Sequence, residues 1–271
     1  MMRIGIPKEN NKDETRVAVV PISVPKLMKL GFEVFLEKGA GENSGYTDSE
    51  YEEKGAKIAP LEDVMKSELV ASIDVPKFDM LAKGQMLACV ADPFRNLEQT
   101  RKIIDAGITL LSLEVIPRRL SKGQSMDVNS SQDNLSGYKA ALMGSQHIAK
   151  MVPMMMTSAG TVRPAKFVIQ GAAVAGLQAI ATAKRLGAAV QAIDVRLAAK
   201  QDTESLGAKF IDVPGWKDAE SSSGHASLFT DKNLQNAFDN ALMDAVKDAD
   251  VVITTARLFG ANAPKLFFGK D

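Results

Sequence analysis

The sequence has a single cysteine, no excess of basic or acidic residues and no long apolar run. Among its 271 residues only Cys89 is a cysteine, which excludes an internal disulfide and a thiolate metal cluster and is typical of a reducing compartment. Basic and acidic residues number 33 each, and no basic run is interleaved with aromatic residues, so nucleic acid is not an expected partner. No segment approaches the ~18 consecutive apolar residues of a membrane helix, and the first residues show no signal-peptide pattern.

Short apolar runs alternate with helical segments through the first half of the chain. Thr47 and Glu50 have the spacing of a capping box, which predicts the start of one of these helices. Alternation at this spacing predicts an α/β fold, with a parallel sheet and helices on both of its faces. The strands predicted in this half are residues 3–6, 32–36, 69–73, 86–90 and 108–113.

Residues 164–196 have the layout of a dinucleotide-binding unit. An apolar run at 167–169 leads into a turn from Gly171 to Gly176, then a helical segment, a second apolar run and Asp194. In the G-x-G-x-x-G pattern the first glycine allows the tight turn, the third allows close helix–strand packing, and the middle one lets the pyrophosphate approach the backbone. The middle position here is Ala173, so we expect a weakened or displaced pyrophosphate contact. The helix N-terminus still offers N–H groups and partial positive charge to phosphate.

Asp194 follows the turn by about 20 residues, at a predicted strand end where a carboxylate can accept hydrogen bonds from ribose hydroxyls. Its charge would repel a 2′-phosphate, which favours NAD(H) over NADP(H). The alternative is an ordinary acidic residue at a strand end. Beyond Asp194 the pattern predicts a helix at 198–206, a strand at 208–213, a Ser/Gly-rich loop, an amphipathic helix at 234–245 and a strand at 251–255.

The periodicity stops between residues 114 and 134, which are rich in Ser, Asn, Asp and Gln. Loops of this length inside a compact protein are usually functional or disordered. The many short hydrogen-bonding side chains favour a loop folded around a polar ligand, and a solvated interdomain linker is the alternative. A helix is predicted at 138–152, and the methionines of the next segment, 153–161, are expected to fill core space.

Other catalytic patterns are sparse. His147 and His225 are far apart in the sequence and belong to no motif, and His147 is expected on a helix surface. No paired-cysteine or histidine metal spacing and no nucleophile elbow occurs in the sequence. This scarcity of acid–base groups fits direct hydride transfer between two nicotinamides, in which the cofactor supplies the chemistry and the protein supplies position.

Several ordered motifs together resemble one family. The segments IPKE, RVAVVP, SQDNLSGYKA, PMMMTSAGTVRPAK, AGLQAIATAKRLGA, and DVR with ESLGAKF are similar to the NAD(H)-binding component, domain I of the alpha subunit, of proton-translocating NAD(P) transhydrogenase, in the alanine dehydrogenase/transhydrogenase superfamily. The resemblance implies two Rossmann-like doubly wound domains, at residues 1–137 and 138–271, the second incomplete at its C-terminus relative to the family. It also implies NAD as cofactor and hydride transfer from NADH to NADP+ on a partner component, coupled to proton translocation by membrane components.

The resemblance further implies a homodimer that docks on an NADP(H)-binding component without entering the membrane, in the cytoplasm and peripheral to the inner membrane. Ala173 departs from the family's middle glycine, and His225 stands where a tyrosine is common. The residues that match the family's nicotinamide-holding loop are Arg119, Gln124, Asp127 and Ser130. The residues that match its other nucleotide contacts are Gly171, Ala173, Val174, Ala175, Gly176, Asp194, Val195, Arg196, Gly224, His225, Thr255 and Ala256.

Two alternatives stay open. Alanine dehydrogenases share the fold and are implied to use a lysine and a histidine of first-domain loops to bind and protonate the oxoacid. The corresponding stretches here, SIDVPKF and LACVADP, lack the lysine on the expected side of the proline and place Cys89 or Val90 near the position of the histidine. Arg16 is common to both families. The second alternative is a truncated, non-catalytic nucleotide-binding remnant.

Overall fold

The computed structural model describes residues 1–116, 121–216, 231–256 and 263. The chain forms two compact units, Met1–Val128 and a second that begins at Asn129. The domain boundary predicted between residues 137 and 138 falls inside a helix, Val128–His147, that belongs almost entirely to the second unit. In the described part of the chain, none of the helices combines the length and apolarity needed to cross a membrane.

A six-stranded parallel sheet forms the centre of the first unit. Its strands are β1 (Met2–Ile6), β2 (Phe32–Glu37), β3 (Lys57–Ala59), β4 (Leu69–Ala71), β5 (Met86–Cys89) and β6 (Thr109–Ser112). The strand order is β3-β2-β1-β4-β5-β6, and Ile4 stands in register between Val34 and Leu69. The order reverses between β1 and β4, which is the switch point of a doubly wound fold. The five predicted strands are present with small shifts at their ends, and β3 is additional.

Of the helices in this unit, the first four contact strands of the sheet. The helices are α1 (Val24–Lys29), α2 (Asp48–Glu53), α3 (Leu61–Val64), α4 (Leu97–Asp105) and α5 (Ser121–Gln124). The capping box predicted at α2 is present, since the Glu50 N–H donates to Oγ1 of Thr47 at 3.4 Å and the Thr47 N–H donates to the Glu50 carboxylate at 2.7 Å. Tyr51 of α2 is completely buried, and its hydroxyl donates to the Val19 carbonyl at 2.9 Å. The capping box therefore stabilises the start of a helix that contributes Tyr51 to the core.

The second unit is built on a four-stranded parallel sheet and a separate hairpin. Its strands are β7 (Met155–Thr157), β8 (Gly160–Val162), β9 (Lys166–Gln170), β10 (Ala189–Ile193), β11 (Lys209–Phe210) and β12 (Val251–Thr254), and its helices are α6 (Val128–His147), α7 (Val174–Arg185), α8 (Ala198–Ser205) and α9 (Lys232–Lys247). The parallel order is β11-β10-β9-β12, with a switch point between β9 and β12. Phe167 and Ile169 pack in the same cluster as the α7 residue Ile180, whereas Val168 packs with Phe238 of α9. The predicted α/β, doubly wound architecture is confirmed.

The predicted bounds of the polar loop at 114–134 and of the helix at 138–152 are wrong. The helix α6 begins at Val128 and ends at His147. Its first turns are made of Asn, Ser and Asp residues with modest intrinsic helix propensity, which is why the sequence favoured a loop. Burial of Gly137 and Ala141 against the rest of the unit stabilises the helix instead. His147 is exposed at the helix end, as predicted.

The methionines that follow α6 do not fill core space, so that prediction is also wrong. Met154, Met155 and Met156 are 57%, 40% and 76% exposed. The strands β7 and β8 pair antiparallel, and every residue of both strands is exposed. The segment forms a separate ribbon outside the four-stranded sheet, and that position leaves its side chains in solvent.

Candidate functional site

The glycine turn lies where β9, β10 and β12 end, at the switch point where doubly wound sheets bind ligands. Gly171, directly after β9, has a φ of +92°, a conformation that glycine adopts without steric cost. A Cβ on Gly171 would lie 2.8 Å from Oγ1 of Thr255, and a Cβ on Gly176 would lie 1.7 Å from the Gly171 carbonyl oxygen. The turn and the first helical turn after it therefore require glycine at both positions.

The start of α7 is open to an anionic ligand. Ala173 is the N-cap residue and makes no side-chain cap hydrogen bond, and the first turn holds no acidic residue. N–H groups at a helix start need an acceptor from outside the helix, and a pyrophosphate can supply it. Ala173 has a φ of −88°, which any residue adopts, so its Cβ affects only how closely a ligand approaches. This helix start fits the phosphate groups of a dinucleotide.

Asp194, directly after β10, is only 5% exposed and already bonded. One of its carboxylate oxygens accepts from the Ala172 N–H at 2.7 Å, and the other accepts from the Arg196 N–H at 2.8 Å. The Arg196 side chain donates to both oxygens, at 3.0 Å from Nε and 3.1 Å from Nη2. Asp194 thus connects the β10 end to the glycine turn. A ribose hydroxyl that reaches this carboxylate has to compete with the Arg196 side chain.

Thr255 closes the turn from the side of β12. Its N–H donates to the Gln170 carbonyl at 2.9 Å, and its hydroxyl donates to the Gly171 carbonyl at 2.8 Å. On the other side, the Val195 carbonyl accepts from Nε1 of Trp216 at 3.4 Å. The described residues predicted to contact the cofactor therefore gather at one edge of one sheet. They are Gly171, Ala173, Val174, Ala175, Gly176, Asp194, Val195, Arg196, Thr255 and Ala256.

Gly137 of α6 positions this edge and was not singled out from the sequence. It is buried, and a Cβ on it would lie 1.9 Å from the carbonyl oxygen of Ala175. Helix α6 thus crosses the first turn of α7 in backbone contact and holds the helix start in place. A signal was available, because glycine inside a helix costs about 1 kcal/mol relative to alanine and usually marks close packing.

The residues matched to nicotinamide binding lie on α5, on the turn after it and on α6. Gln124 ends α5 and is exposed, and its carbonyl accepts from the Asp127 N–H at 3.4 Å. Ser130 lies in the first turn of α6. Arg119, Gly224 and His225 lie outside the described residues. The assignment of all these residues to the nucleotide stays a prediction.

The carboxyl edge of the first sheet bears on the alanine dehydrogenase alternative. Nη2 of Arg16 lies 2.5 Å from the Glu14 carboxylate, and the hydrogen bond from this carboxylate, with the charges of Asp74 and Glu9, raises the pKa of Arg16. An oxoacid carboxylate would therefore meet an arginine that is already paired and has acidic neighbours. Cys89, near the position of the missing histidine, is buried, and burial raises the pKa of its thiol to about 12. Such a thiol stays protonated and is too weak an acid to protonate an oxoacid near neutral pH.

Comparison with known proteins matches both halves of the chain to one family. The family models described as alanine dehydrogenase/PNT, N-terminal domain, and alanine dehydrogenase/PNT, C-terminal domain, match residues 5–136 and 140–270. The first part of NAD(P) transhydrogenase subunit alpha from Rhodospirillum rubrum is 41% identical over 98% of this chain and 72% of its own length. Alanine dehydrogenase from Mycobacterium tuberculosis is 28% identical over 98% of this chain and 67% of its own length.

A solved structure agrees with these sequence matches. The crystal structure of transhydrogenase from Sinorhizobium meliloti superposes with a TM-score of 0.84 at 39% identity, covering 97% of this chain and 72% of that one. The similarity thus extends over both units of the fold.

Proposed function

The chain belongs to the alanine dehydrogenase/PNT family, and we propose that it is the NAD(H)-binding component of a proton-translocating NAD(P) transhydrogenase. It is an oxidoreductase component whose cofactor is NAD. In this role it passes a hydride from NADH to NADP+ held by a partner component, while membrane components couple the transfer to proton translocation. The higher identity to the transhydrogenase relative than to the alanine dehydrogenase supports this branch of the family.

One arrangement carries the nucleotide-binding part of the proposal. The uncapped start of α7 and the Asp194 carboxylate lie at adjacent strand ends, joined by the 2.7 Å hydrogen bond from Ala172. The helix start attracts pyrophosphate, and a carboxylate at the end of the second strand of such a unit accepts from a ribose. Backbone N–H groups of Val174, Ala175 and Gly176 would face the phosphates, with Val195 and Arg196 beside the ribose.

The protein's part in the reaction is to position the nicotinamide. Bound NADH supplies the hydride, and with it the redox chemistry. Gln124, Asp127 and Ser130 carry amide, carboxylate and hydroxyl groups that suit the carboxamide and ribose of the nicotinamide half. Because a hydride moves directly between two nicotinamides, no side chain has to exchange a proton with the substrate. The most useful contribution of the protein is to hold the two nicotinamide rings at a fixed distance and orientation.

The exposed hairpin supports the predicted homodimer. Met154, Met155, Met156 and Val162 are 57%, 40%, 76% and 44% exposed. A two-stranded hairpin is marginally stable alone in water, and a contiguous exposed apolar surface marks an interaction site. We place a second copy of the chain on this hairpin. Contact with the membrane is then indirect, through the membrane-spanning partner components at the cytoplasmic face of the inner membrane.

Calorimetric titration of the purified chain with NADH and NADPH tests the proposal. We expect NADH to bind at least about tenfold more tightly than NADPH, a difference of ~1.4 kcal/mol, because Asp194 repels the 2′-phosphate. Asp194→Asn removes the charge and should erase most of this preference. A melting curve of the variant controls for folding, since Asp194 also accepts from Ala172 and Arg196.

Three outcomes distinguish the hypotheses. Equal affinity of the wild-type chain for both nucleotides would contradict the assignment of Asp194. Lack of any NADH binding would favour the non-catalytic remnant. Oxidation of NADH that depends on pyruvate and ammonia would establish alanine dehydrogenation instead, and we expect none because Arg16 is paired with Glu14.

A further inference from the structure

Gln170, the last residue of β9, has an unexplained polar atom. The residue is 5% exposed, and its side-chain oxygen Oε1 is buried with no hydrogen-bond partner in the described structure. A buried amide oxygen without a donor is destabilising, because it has lost its hydrogen bonds to water. Such groups are rare in native proteins and call for a specific reason, such as a functional contact. Gln170 is not part of the glycine-turn pattern or of the residues matched to the cofactor, so neither explains why a glutamine is buried here with an unpaired oxygen.

The position of Gln170 points to the ligand crevice. Its register partners are Ile193 on β10 and Thr254 on β12, so it stands at the centre of the carboxyl edge, next to the switch point. Side chains alternate along β9, and Val168 packs in the α9 cluster, so Gln170 faces the α9 side of the sheet. Asp194, which we assign to the adenosine ribose, follows β10. The strand β12 begins the second half of a doubly wound sheet, the half that holds the second nucleotide.

We propose that Gln170 is a positioning residue for the nicotinamide half of the bound dinucleotide, with its side-chain amide hydrogen-bonded to the nicotinamide carboxamide. A primary amide carries both a donor and an acceptor, so the two amides are complementary partners. Rotation about the last torsion of glutamine is soft, and it exchanges the positions of Oε1 and Nε2. The contact satisfies in the complex a polar group that is unsatisfied in the free protein. This inference rests on the proposed function.

Substitution by apolar residues of similar size separates this role from a packing role. Gln170→Leu and Gln170→Met remove the unsatisfied oxygen, so we expect the melting temperature of the free chain to rise by about 2–4 °C. Loss of the hydrogen bond should weaken NADH binding by about tenfold. ADP-ribose lacks the nicotinamide, and its affinity should not change. Gln191→Leu, the same substitution on the neighbouring strand β10, is the matched control and should leave both affinities unchanged.

The opposite results are equally specific. If both Gln170 variants bind NADH as the wild type does, Gln170 is only a packing residue and the inference is overturned. If the affinity for ADP-ribose falls as much as the affinity for NADH, the contact is not with the nicotinamide half, and the inference is again overturned. Failure of the wild-type chain to bind NADH would overturn the proposed function and this inference with it, whereas wild-type binding without an effect of Gln170→Leu would overturn the inference alone.

Discussion

The three positions of the glycine turn have different requirements. Two of them need glycine for the backbone, whereas the side chain of Ala173 affects only the contact with a ligand. Residue 171 has to be glycine because its φ is +92°, and residue 176 has to be glycine because a Cβ would collide with the Gly171 carbonyl. Ala173 has neither constraint, since its φ is −88° and it is exposed. The departure from the three-glycine pattern therefore leaves the fold intact and acts only where a pyrophosphate approaches.

Ala173→Gly should accordingly strengthen NADH binding. Removing the Cβ allows a closer approach of the pyrophosphate to the start of α7, and we expect a gain of about three- to tenfold in affinity, or ~0.7–1.4 kcal/mol. Calorimetric titration measures it, with AMP as the control ligand because AMP has no pyrophosphate. An unchanged NADH affinity would show that the Cβ at residue 173 does not face the ligand.

Cys89 should be unreactive towards alkylating reagents in the folded protein. Burial raises the pKa of its thiol to about 12, above the ~8.5 of an unperturbed thiol. The folded state therefore holds this proton more tightly than the unfolded state, and the stabilisation is complete below the unfolded pKa and is lost as the pH rises through about 9 towards 12. We expect iodoacetamide at pH 8 to leave Cys89 unmodified by mass spectrometry until urea unfolds the chain. Glutathione in the same sample is the reactivity control, and rapid labelling of the native protein would contradict the burial.

At the scale of elements, the helix α6 differs most from expectation. Most strands of the two parallel sheets, β3 excepted, were predictable because apolar runs are a local property of the chain. The start of α6 was not, since its Asn, Ser and Asp residues favour turns when considered alone. The contact that stabilises the helix is made by Gly137, which reaches Ala175 on another helix.

Gly137→Ala should destabilise the second unit although alanine is the better helix former. The new Cβ would lie 1.9 Å from the Ala175 carbonyl oxygen, and a backbone atom cannot move aside. We expect a loss of about 2–3 kcal/mol in unfolding free energy, together with weaker NADH binding because the start of α7 shifts. Urea unfolding followed by circular dichroism measures the first effect.

Gly144→Ala is the matched comparison on the same helix. Its Cβ would meet Cγ1 of Val251 at 2.6 Å. Val251 is buried and β-branched, so it can move only slightly, but the contact is with a side chain and not with a backbone carbonyl. The gain in helix propensity of about 1 kcal/mol should offset part of that strain, so we expect a smaller loss of unfolding free energy than for Gly137→Ala. Similar losses for the two variants would contradict the idea that the backbone contact of Gly137 is special.

For the whole molecule, the proposed state of assembly depends on the hairpin of β7 and β8. Its apolar side chains are exposed rather than packed in the core of their own unit, and a second copy of the chain is the occupant we propose. The relatives are parts of a transhydrogenase subunit, so the proposed function requires further components, and a dimer formed through the hairpin would leave the rest of the surface to them.

Met156→Lys should convert the proposed dimer to a monomer. Met156 is 76% exposed, so the lysine is tolerated in the monomer, but burying its charge in an interface without a partner is costly. Size-exclusion chromatography with light scattering measures the mass. Met243→Lys on α9, a residue 45% exposed, is the control and should stay dimeric. A wild-type monomer, or a dimer that survives Met156→Lys, would remove the hairpin from the interface.

The amino-acid sequence by itself determined the parallel α/β architecture, the capping box at α2 and the place of the glycine turn before α7. These features depend on local periodicity, on hydrogen bonds within one turn or on a φ that only glycine adopts easily. Tertiary structure decided the start of α6, the exposure of the methionines, the hydrogen bond from Ala172 to Asp194 and the burial of Gln170. Each of these depends on which residues meet in space, and burial and hydrogen bonding between separate elements outweigh the local preferences of the chain.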